Sequence, residues 1–327
     1  MKKVLVTGAS GFIGSTLVDR LLELGEYEVY AGVRGSSNRK YLQNPNIRFI
    51  EVEFSNPEKL KTQFENEKFD CIFHLAGLTK AKRLTDFDRV NFELTKNLVD
   101  AIDTNITKLI FLSSFAAHGP GEEVNFTQSK VSDENKPNTA YGRSKLKAEN
   151  YINENFKGKY VILRPTGVYG PRETDYFVFF QTIDNHIEPY LGFVPQRLTF
   201  VYSKDLVQVC SKAFESEVSG KTYFVSDGKM YLDSEYAAIS KQILNKKTLK
   251  LKFPLFIVKW ISSFLDMLGR AIGTQFTLNK DKYSILAARN WDCNIEDLKQ
   301  DLGYEPEYDL QKGVEETIAW YKKEKWL

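Results

Sequence analysis

Three side chains in the middle of the chain have the types and spacing needed for a proton transfer that accompanies a hydride transfer. Tyr141 and Lys145 are four residues apart in the segment 140–155 (AYGRSKLKAENYINEN), which has the pattern of a helix. They therefore lie one turn apart on the same helix face. A free tyrosine has a pKa of about 10, and a nearby ammonium favours the phenolate and brings that pKa toward neutrality. Taken alone, the pair is also typical of an ordinary surface helix.

Ser114 is the candidate partner of this pair. It follows the apolar run 109–112, which has the pattern of a strand. In an α/β sheet, ligands bind at the carboxyl ends of the strands. A hydroxyl there can hydrogen-bond a substrate oxygen that becomes, or ceases to be, a carbonyl oxygen. Ser113 is the less favoured of the two serines.

Glycines near the start of the chain predict a site for a pyrophosphate. The turn 8–14 (GASGFIG) follows the apolar run 4–6 and leads into the segment 12–22, which has apolar residues at helical spacing. Glycine lets the backbone approach a ligand closely, and a helix N-terminus attracts anions. The spacing is G-x-x-G-x-x-G rather than G-x-G-x-x-G, so a tight turn without a ligand is the alternative. Together, the two motifs predict redox chemistry with a nicotinamide cofactor.

With these motifs the chain resembles the extended short-chain dehydrogenases/reductases. This group includes nucleotide-sugar epimerases and dehydratases, ketone reductases and 3β-hydroxysteroid dehydrogenases. The similarity covers nearly the whole chain. The further matching segments are 70–77 (DCIFHLAG), 90–98 (VNFELTKNL), 163–171 (LRPTGVYGP), 301–306 (DLGYEP) and 313–321.

The resemblance implies that Ser114, Tyr141 and Lys145 are the catalytic residues. His118 and Arg172 are the candidate substrate contacts. The resemblance also implies a homodimer in which helices 91–104 and 140–155 pair between subunits. The implied cofactor contacts are Gly8, Ser10, Gly11, Phe12, Ile13, Gly14, Phe54, Leu75, Ala76, Gly77, Tyr141, Lys145, Pro165 and Val168.

Strand-like and helix-like segments alternate over the first half of the chain. This rhythm predicts an α/β fold of the Rossmann type, a doubly wound parallel sheet with a smaller, mainly helical C-terminal substrate subdomain. We predict a dinucleotide-binding domain at 1–165, to which 198–226 returns, and a substrate-binding subdomain at 166–197 and 227–327. The predicted strands are 3–7, 28–33, 47–52, 70–75, 108–113 and 160–164.

Composition narrows the class of protein further. The 327 residues, 42% of them hydrophobic, are enough for a substantial core, and a net charge of +2 does not favour a nucleic-acid partner. The three cysteines and three histidines are scattered, so we expect no metal site. A strand begins at once and leaves no room for a signal peptide, so we expect a cytoplasmic protein without a transmembrane span.

The end of the second strand predicts which nicotinamide cofactor binds. NAD-selecting proteins of this fold place a carboxylate there to bind the ribose 2′-hydroxyl. Here the strand carries no acid at 29–33, and Arg34 follows directly. A guanidinium suits a 2′-phosphate in charge and in bidentate geometry. We therefore predict NADP in preference to NAD. Arg39 and Lys40 lie nearby and also fit a solvated basic loop.

Departures from the family pattern bear on the substrate. Nucleotide-sugar enzymes of the family tend to place an arginine where this chain has Leu198, with Arg197 one position away. The later R-x-G-D stretch is missing from 282–292 (KYSILAARNWD), and Thr166 stands where many of these enzymes have asparagine. These differences argue against a diphosphate-bearing substrate.

The segment 253–273 (FPLFIVKWISSFLDMLGRAIG) is unusually apolar. As a helix it has a narrow polar stripe and a broad apolar face. One interpretation is a core or dimer-interface helix; the other is a lid over a lipid-like substrate or a helix resting on a membrane surface. Its charges and length argue against a membrane span. The polar stripe consists of Lys259, Ser263, Asp266 and Arg270.

We therefore predict an NADP(H)-linked reductase or dehydrogenase that acts on a secondary alcohol/ketone pair with hydrophobic substituents. The aromatic run 176–180 favours the same class of substrate. The first alternative is a nucleotide-sugar 4-epimerase or dehydratase with tightly bound NAD. Phe115 and Ala116 argue against the dehydratase, which uses an acid pair directly after its catalytic Ser or Thr. The second alternative is a non-catalytic cofactor-binding sensor or scaffold.

Overall fold

A computed structural model describes residues 1–81, 83–272, 276 and 278–327 of the chain. The strands are β1 (Lys2–Thr7), β2 (Tyr27–Val33), β3 (Arg48–Glu51), β4 (Cys71–His74), β5 (Lys108–Leu112), β6 (Tyr160–Pro165), β7 (Gly167–Tyr169), β8 (Ile187–Leu191), β9 (Arg197–Leu198), β10 (Phe200–Tyr202), β11 (Lys221–Val225), β12 (Tyr231–Leu232) and β13 (Leu249–Phe253).

The helices are α1 (Phe12–Leu24), α2 (Pro57–Glu67), α3 (Leu84–Phe87), α4 (Leu94–Ala101), α5 (Phe115–His118), α6 (Ala140–Asn155), α7 (Asp175–Asp184), α8 (Ser203–Glu215), α9 (Asp233–Leu244), α10 (Leu255–Ile272), α11 (Lys280–Ala287), α12 (Glu296–Leu302) and α13 (Leu310–Lys323). A π-helix, Asp88–Glu93, joins α3 to α4.

Seven parallel strands form the central sheet, in the order β11-β6-β5-β4-β1-β2-β3. From β1 the chain builds outward through β2 and β3, and then returns to add β4, β5 and β6 on the other side. The carboxyl ends of β1 and β4 therefore border the crevice where a doubly wound sheet binds its ligand. The predicted Rossmann-type sheet is confirmed, and all six predicted strands are present.

Successive side chains of β1 point to opposite faces of the sheet, and this alternation explains how the sheet packs against helices on both faces. Val4 and Val6 contribute to one hydrophobic cluster, which includes apolar residues of α1 and α8. Leu5 points the other way, into a cluster built from α2, α4 and α6. Both faces are thus buried, which suits the continuous apolar runs of the central strands.

A third hydrophobic cluster lies in the C-terminal part of the chain. It gathers aromatic side chains from α7, α9, β10 and α13 around Phe180, Tyr236 and Tyr321. β11 returns to the central sheet and α8 packs on α1, whereas β10 pairs with β7 outside that sheet. The predicted division into two sequence-defined parts stays a prediction.

The aromatic run 176–180 is part of this third cluster. Phe177 packs against Tyr321 with a ring-centroid distance of 5.2 Å, and Phe179 stacks on Tyr236 at 4.6 Å. Phe180 is completely buried. The aromatic residues of the run therefore serve packing and are not evidence for a hydrophobic substrate, whereas Val178 is exposed.

Replacing Gly14 with alanine tests the tight contact between the turn after β1 and helix α1. A Cβ at this position would lie 2.1 Å from the carbonyl oxygen of Gly8, a backbone atom that cannot swing aside. Replacing a helical glycine with alanine usually stabilises by about 0.5–1 kcal/mol, but here overpacking should dominate. We expect Gly14→Ala to lower the free energy of unfolding by about 3 kcal/mol, measured by urea denaturation.

Gly35→Ala is the matched control, because a Cβ there meets only the flexible Glu51 carboxylate, at 3.4 Å. An unchanged or increased stability for Gly14→Ala would contradict this account of the turn.

Candidate active site

The turn between β1 and α1 forms a cradle of backbone atoms. Gly8 has a positive φ of 69°, and a Cβ on it would lie 2.8 Å from the backbone nitrogen of Ala76. Gly11, the N-cap of α1, makes no side-chain capping hydrogen bond, and the first turn of the helix carries no acidic residue. A phosphate group therefore fits this helix end without displacing a protein partner.

The segment that follows β4 connects this cradle to the predicted catalytic helix. A Cβ on Gly77 would lie 3.0 Å from Oδ1 of Asn91 and 3.5 Å from Nζ of Lys145. Ala76, in contact with Gly8, and Gly77, in contact with Lys145, are adjacent residues. The glycine-rich turn and Lys145 therefore lie on either side of the short segment after β4. A dinucleotide lying along this segment could reach both.

Asn91 fixes the course of this segment. Its side chain accepts a hydrogen bond from the backbone nitrogen of Leu78 at 2.7 Å and donates to the carbonyl oxygen of the same residue at 2.9 Å. It also donates to Oγ of Ser144 on α6 at 3.0 Å. Asn91 is completely buried, so these bonds tie the loop to the catalytic helix without competition from water.

Tyr141 is held in the first turn of α6, whose predicted bounds, 140–155, are confirmed. The Thr139 side chain caps the helix by accepting from the backbone nitrogen of Gly142 at 2.9 Å. Asp281 of α11 adds a second acceptor, with Oδ2 at 2.8 Å from the backbone nitrogen of Ala140. A carboxylate at a helix N-terminus is stabilising, and this one fixes the turn that carries the tyrosine.

Ser114 is the serine that lies beside Tyr141. Its hydroxyl caps α5 by accepting from the backbone nitrogen of Ala116 at 3.2 Å. Burial raises the pKa of Tyr141, and the nearby Ser114 hydroxyl opposes that rise. Ser113 instead donates its hydroxyl proton to Glu149. The structure thus brings Ser114, not Ser113, to the predicted site.

Lys145 is buried, and its ammonium donates to the carbonyl oxygen of Leu112 at 2.7 Å. Burial lowers the pKa of Lys145 to about 8, and the Glu149 carboxylate opposes that effect. The expected lowering of the pKa of Tyr141 by this ammonium is absent: burial and Ser114 set the direction of that shift. In this structure Tyr141 is a protonated phenol near neutral pH.

A buried ion pair that the sequence analysis missed lies behind these residues. Arg164 of β6 donates to Glu149 of α6, with Nη2 2.6 Å from Oε2 and Nε 3.0 Å from Oε1. Both side chains are almost completely buried. The spacing of Glu149, four residues after Lys145 on the same helix face, is the sequence signal that points to it.

Two opposite charges lie beside the end of β2, where the sequence suggested one, because Glu51 ends the neighbouring strand β3. Arg34 is exposed, so its guanidinium is accessible to a 2′-phosphate. Glu51, which the sequence analysis did not consider, accepts a hydrogen bond from the backbone nitrogen of Gly35 at 3.1 Å. Its carboxylate is therefore also available to a ribose hydroxyl. Phe54 is partly buried, with its ring centroid 5.8 Å from that of His74.

The two predicted substrate contacts are held by protein partners. His118 is buried, and Nδ1 lies 2.9 Å from the carbonyl oxygen of Gly119. Arg172 donates to Ser15 at 2.9 Å and to Asp19 at 2.8 Å, both on α1. It borders a cavity of about 340 Å³ whose lining includes none of the three predicted catalytic residues. Nδ1 of His118 and the Arg172 guanidinium thus have protein partners, and the contact of either side chain with substrate stays a prediction.

Two arginines near β9 bear on the predicted absence of a diphosphate site. The Arg197 guanidinium lies over the Phe126 ring at 4.7 Å and donates to the Phe126 carbonyl oxygen at 3.3 Å, so it does not replace the arginine missing at Leu198. Arg289, whose carbonyl oxygen accepts from the backbone nitrogen of Arg197 at 2.8 Å, was overlooked. Its guanidinium has no ion pair with any residue that the structure describes. Residues 289–292 keep the spacing of R-x-G-D with tryptophan in place of glycine.

Pro165 and Val168 are the two remaining residues that we predicted to contact the cofactor and that lie near the end of β6. Pro165 ends β6 and is buried, and Val168 in β7 is partly buried against the cluster that contains α1. Their contact with a cofactor stays a prediction.

Known proteins resemble this chain over nearly its full length. UDP-glucose 4-epimerase of Vibrio cholerae is 26% identical over 97% of this chain and 94% of its own length. The decarboxylating sterol-4-alpha-carboxylate 3-dehydrogenase of Saccharomyces cerevisiae is 23% identical over 97% of each. A solved structure of UDP-glucose 4-epimerase from Thermotoga maritima with UDP-glucose has a TM-score of 0.79 at 22% identity, covering 98% of this chain and 99% of that one.

Residues 4–226 match the model of the NAD dependent epimerase/dehydratase family. The matched segment contains the glycine cradle, Ser114, Tyr141 and Lys145. On this evidence, the chain belongs to the NAD-dependent epimerase/dehydratase family, within the extended short-chain dehydrogenases/reductases.

Proposed function

We propose that this protein transfers hydride between a nicotinamide cofactor and a secondary alcohol or ketone with hydrophobic substituents. The observation that supports the proposal is the position of Ser114 beside Tyr141, together with that of Lys145 beside Gly77. Tyr141 and Lys145 are one turn apart on α6, and the glycine cradle offers an anion site to the other end of the same cofactor.

A bound NAD(P)H supplies the hydride that a carbonyl carbon accepts. Ser114 donates a hydrogen bond to the carbonyl oxygen and orients it. Tyr141, kept protonated by its burial, gives its proton to that oxygen as the alcohol forms. Lys145 binds the ribose of the cofactor. Placement and oriented hydrogen bonds lower the barrier without a covalent intermediate.

Three observations support a hydrophobic substrate over a nucleotide sugar. Leu198 stands where the nucleotide-sugar enzymes place an arginine, and Arg197 is engaged with Phe126. Phe115 and Ala116, directly after Ser114, provide no acid pair for dehydration. One relative over nearly the full length of the chain is named as a sterol dehydrogenase.

A nucleotide-sugar 4-epimerase is the second candidate, and Arg289 favours it. Its guanidinium has no ion pair among the described residues, and residues 289–292 keep the spacing of R-x-G-D with tryptophan in place of glycine. A diphosphate would suit it. Calorimetry with UDP-glucose separates the two candidates: affinity that Arg289→Ala abolishes, together with NAD that survives purification, would replace the dehydrogenase proposal.

Replacing Tyr141 tests the proposed chemistry. NADPH consumption should be followed with a panel of hydrophobic ketones. We expect Tyr141→Phe to lower kcat by about 10²–10⁴-fold, because the substrate oxygen loses its proton donor, while cofactor affinity stays unchanged. Tyr151→Phe on the same helix is the control, since its hydroxyl bonds Asp100. Full activity of Tyr141→Phe would rule out this role.

Cofactor preference follows from Arg34 and Glu51, and we propose that NADP is preferred. By calorimetry, Arg34→Ala should weaken NADPH binding about tenfold, or about 1.4 kcal/mol, and leave NADH binding unchanged. Glu51→Gln should strengthen NADPH binding, because a carboxylate beside Gly35 repels a 2′-phosphate. If NADH binds more tightly than NADPH and Glu51→Gln weakens it, the carboxylate selects NAD and the Arg34 argument fails.

The pKa of Lys145 predicts how cofactor affinity depends on pH. Burial lowers this pKa to about 8 in the free protein, and the negative charge of a bound cofactor raises it again. Affinity should therefore be constant below about pH 8. Above it, affinity should fall by up to about tenfold per pH unit, because binding must recapture a proton.

Calorimetric titrations across this range measure the effect. Lys145→Arg, which stays charged, should show no such fall, and Lys145→Met should bind weakly at every pH. A Lys145→Met protein with the wild-type pH dependence would show that another group titrates.

A further inference from the structure

Helix α10 turns its apolar side outward. Its buried side is narrow and consists of Val258, Ser262 and Gly269. The outward side, which we call the α10 face, includes Trp260, 77% exposed, and Met267, 63% exposed. The complete α10 face is Phe256, Ile257, Trp260, Ile261, Phe264, Met267, Leu268 and Ile272. The interpretation as a core helix is therefore wrong. The side chain of Arg270 and residue 273 lie outside the described part of the chain.

Exposed apolar residues continue beyond the helix. Leu249 and Phe253, at the two ends of β13, are exposed, as are Phe193 and Val194 in the loop after β8. The loop lies beside β13, because the backbone nitrogen of Gly192 donates to the carbonyl oxygen of Phe253 at 2.8 Å. Contiguous apolar surface of this extent is rare on a monomer and marks an interaction site.

Positive charge borders this surface. Between Glu235 and Asp266 the chain has six lysines and no acidic residue. Lys241 and Lys250 lie near the buried Glu188, and Lys246 pairs with Asp184. The other three, Lys247, Lys252 and Lys259, are exposed, and none has an ion pair with a residue that the structure describes.

We propose that the α10 face docks on the surface of a membrane that contains anionic lipid. An amphipathic helix with aromatic and aliphatic residues on one side and lysines at its border lies in the plane of a bilayer interface. Each lysine near an anionic leaflet adds attraction. Trp260, in the middle of the face, is the residue type that prefers the headgroup region. No described helix is long and apolar enough to cross the bilayer.

The charges near the α10 face also argue against a second copy of the chain as its binding partner. A two-fold interface presents the same patch from both subunits. It would bring Lys252 and Lys259 of each copy toward those of the other. Juxtaposed like charges disfavour such a pairing. An anionic surface instead offers these lysines negative charge.

Docking would bring the membrane close to the catalytic helix. α10 packs on α11, and Asp281 of α11 accepts hydrogen bonds from the backbone nitrogens of Ala140 and Tyr141. One helix therefore separates the α10 face from the turn that holds Tyr141. Delivery of a hydrophobic substrate from the bilayer follows only if the proposed function holds; the docking itself does not depend on it.

Vesicle binding by the full chain tests the docking. The probes are vesicles of phosphatidylcholine alone and of phosphatidylcholine with phosphatidylglycerol, and the readouts are cosedimentation and tryptophan emission. We expect binding to the anionic vesicles at least tenfold tighter than to neutral ones, weakened by salt. Emission should shift to the blue, because Trp260 leaves water, and the shift should disappear in Trp260→Phe.

Surface variants identify the residues responsible. Trp260→Ala with Phe264→Ala, and separately the triple change of Lys247, Lys252 and Lys259 to Gln, should each reduce binding at least tenfold. The matched controls are Ile106→Ala with Val124→Ala, and Lys61, Lys130 and Lys157 changed to Gln, all exposed elsewhere. Activity on a soluble ketone reports separately on the proposed function.

Three results would overturn the proposal. The first is equal affinity for neutral and anionic vesicles, and the second is the absence of binding to either. The third is a dimer, seen by analytical ultracentrifugation, that Trp260→Ala with Phe264→Ala converts to a monomer. That result would assign the α10 face to a second copy of the chain.

Discussion

The buried contact between Glu149 and Arg164 is the interaction on which the arrangement of the site depends. Glu149 lies on α6, Arg164 on β6, and Ser113 at the end of β5 also bonds the same carboxylate. Three elements are therefore held at one point. Breaking a buried ion pair by removing one partner costs about 3–5 kcal/mol, because the remaining charge has no water to solvate it. This contact fixes Ser114 and α6 relative to each other.

The same carboxylate shapes the electrostatics of the site. Burial disfavours the charged form of Lys145, and Glu149, one turn further along α6, partly restores it. His74, which faces Lys145 from β4, is held neutral: burial lowers its pKa to about 3, with Lys145 acting in the same direction. Lys145 is thus left near its transition between charged and neutral forms. A bound anionic cofactor would stabilise the charged form of Lys145.

Local sequence patterns were sufficient for the sheet and for the catalytic helix. Apolar runs bounded by turns predicted the six central strands, and α6 begins and ends where the periodicity of 140–155 indicated. Contacts between distant segments were not predictable in this way. Asp281 at the start of α6 and Glu51 beside Gly35 join residues whose proximity exists only after folding. Their residue types alone gave no signal.

α10 shows a second kind of limit. Periodicity predicted a narrow polar stripe and a broad apolar side, but whether the apolar side faces the core or the solvent depends on how much of the helix its neighbours cover. The aromatic residues of α7 had the opposite outcome, since they pack against Tyr236 and Tyr321 in the third hydrophobic cluster. The implied homodimer and the cytoplasmic location stay predictions.

Isotope transfer tests the central claim, that this site moves a hydride to an external carbonyl, most directly. The protein is given NADPH carrying deuterium at both C4 positions together with a hydrophobic ketone, and the product is analysed by mass spectrometry. The account predicts one deuterium on the carbinol carbon for each NADPH consumed. NADPH left unconsumed with every ketone, together with redox-neutral conversion of a UDP-hexose by protein that retains NAD, would contradict it.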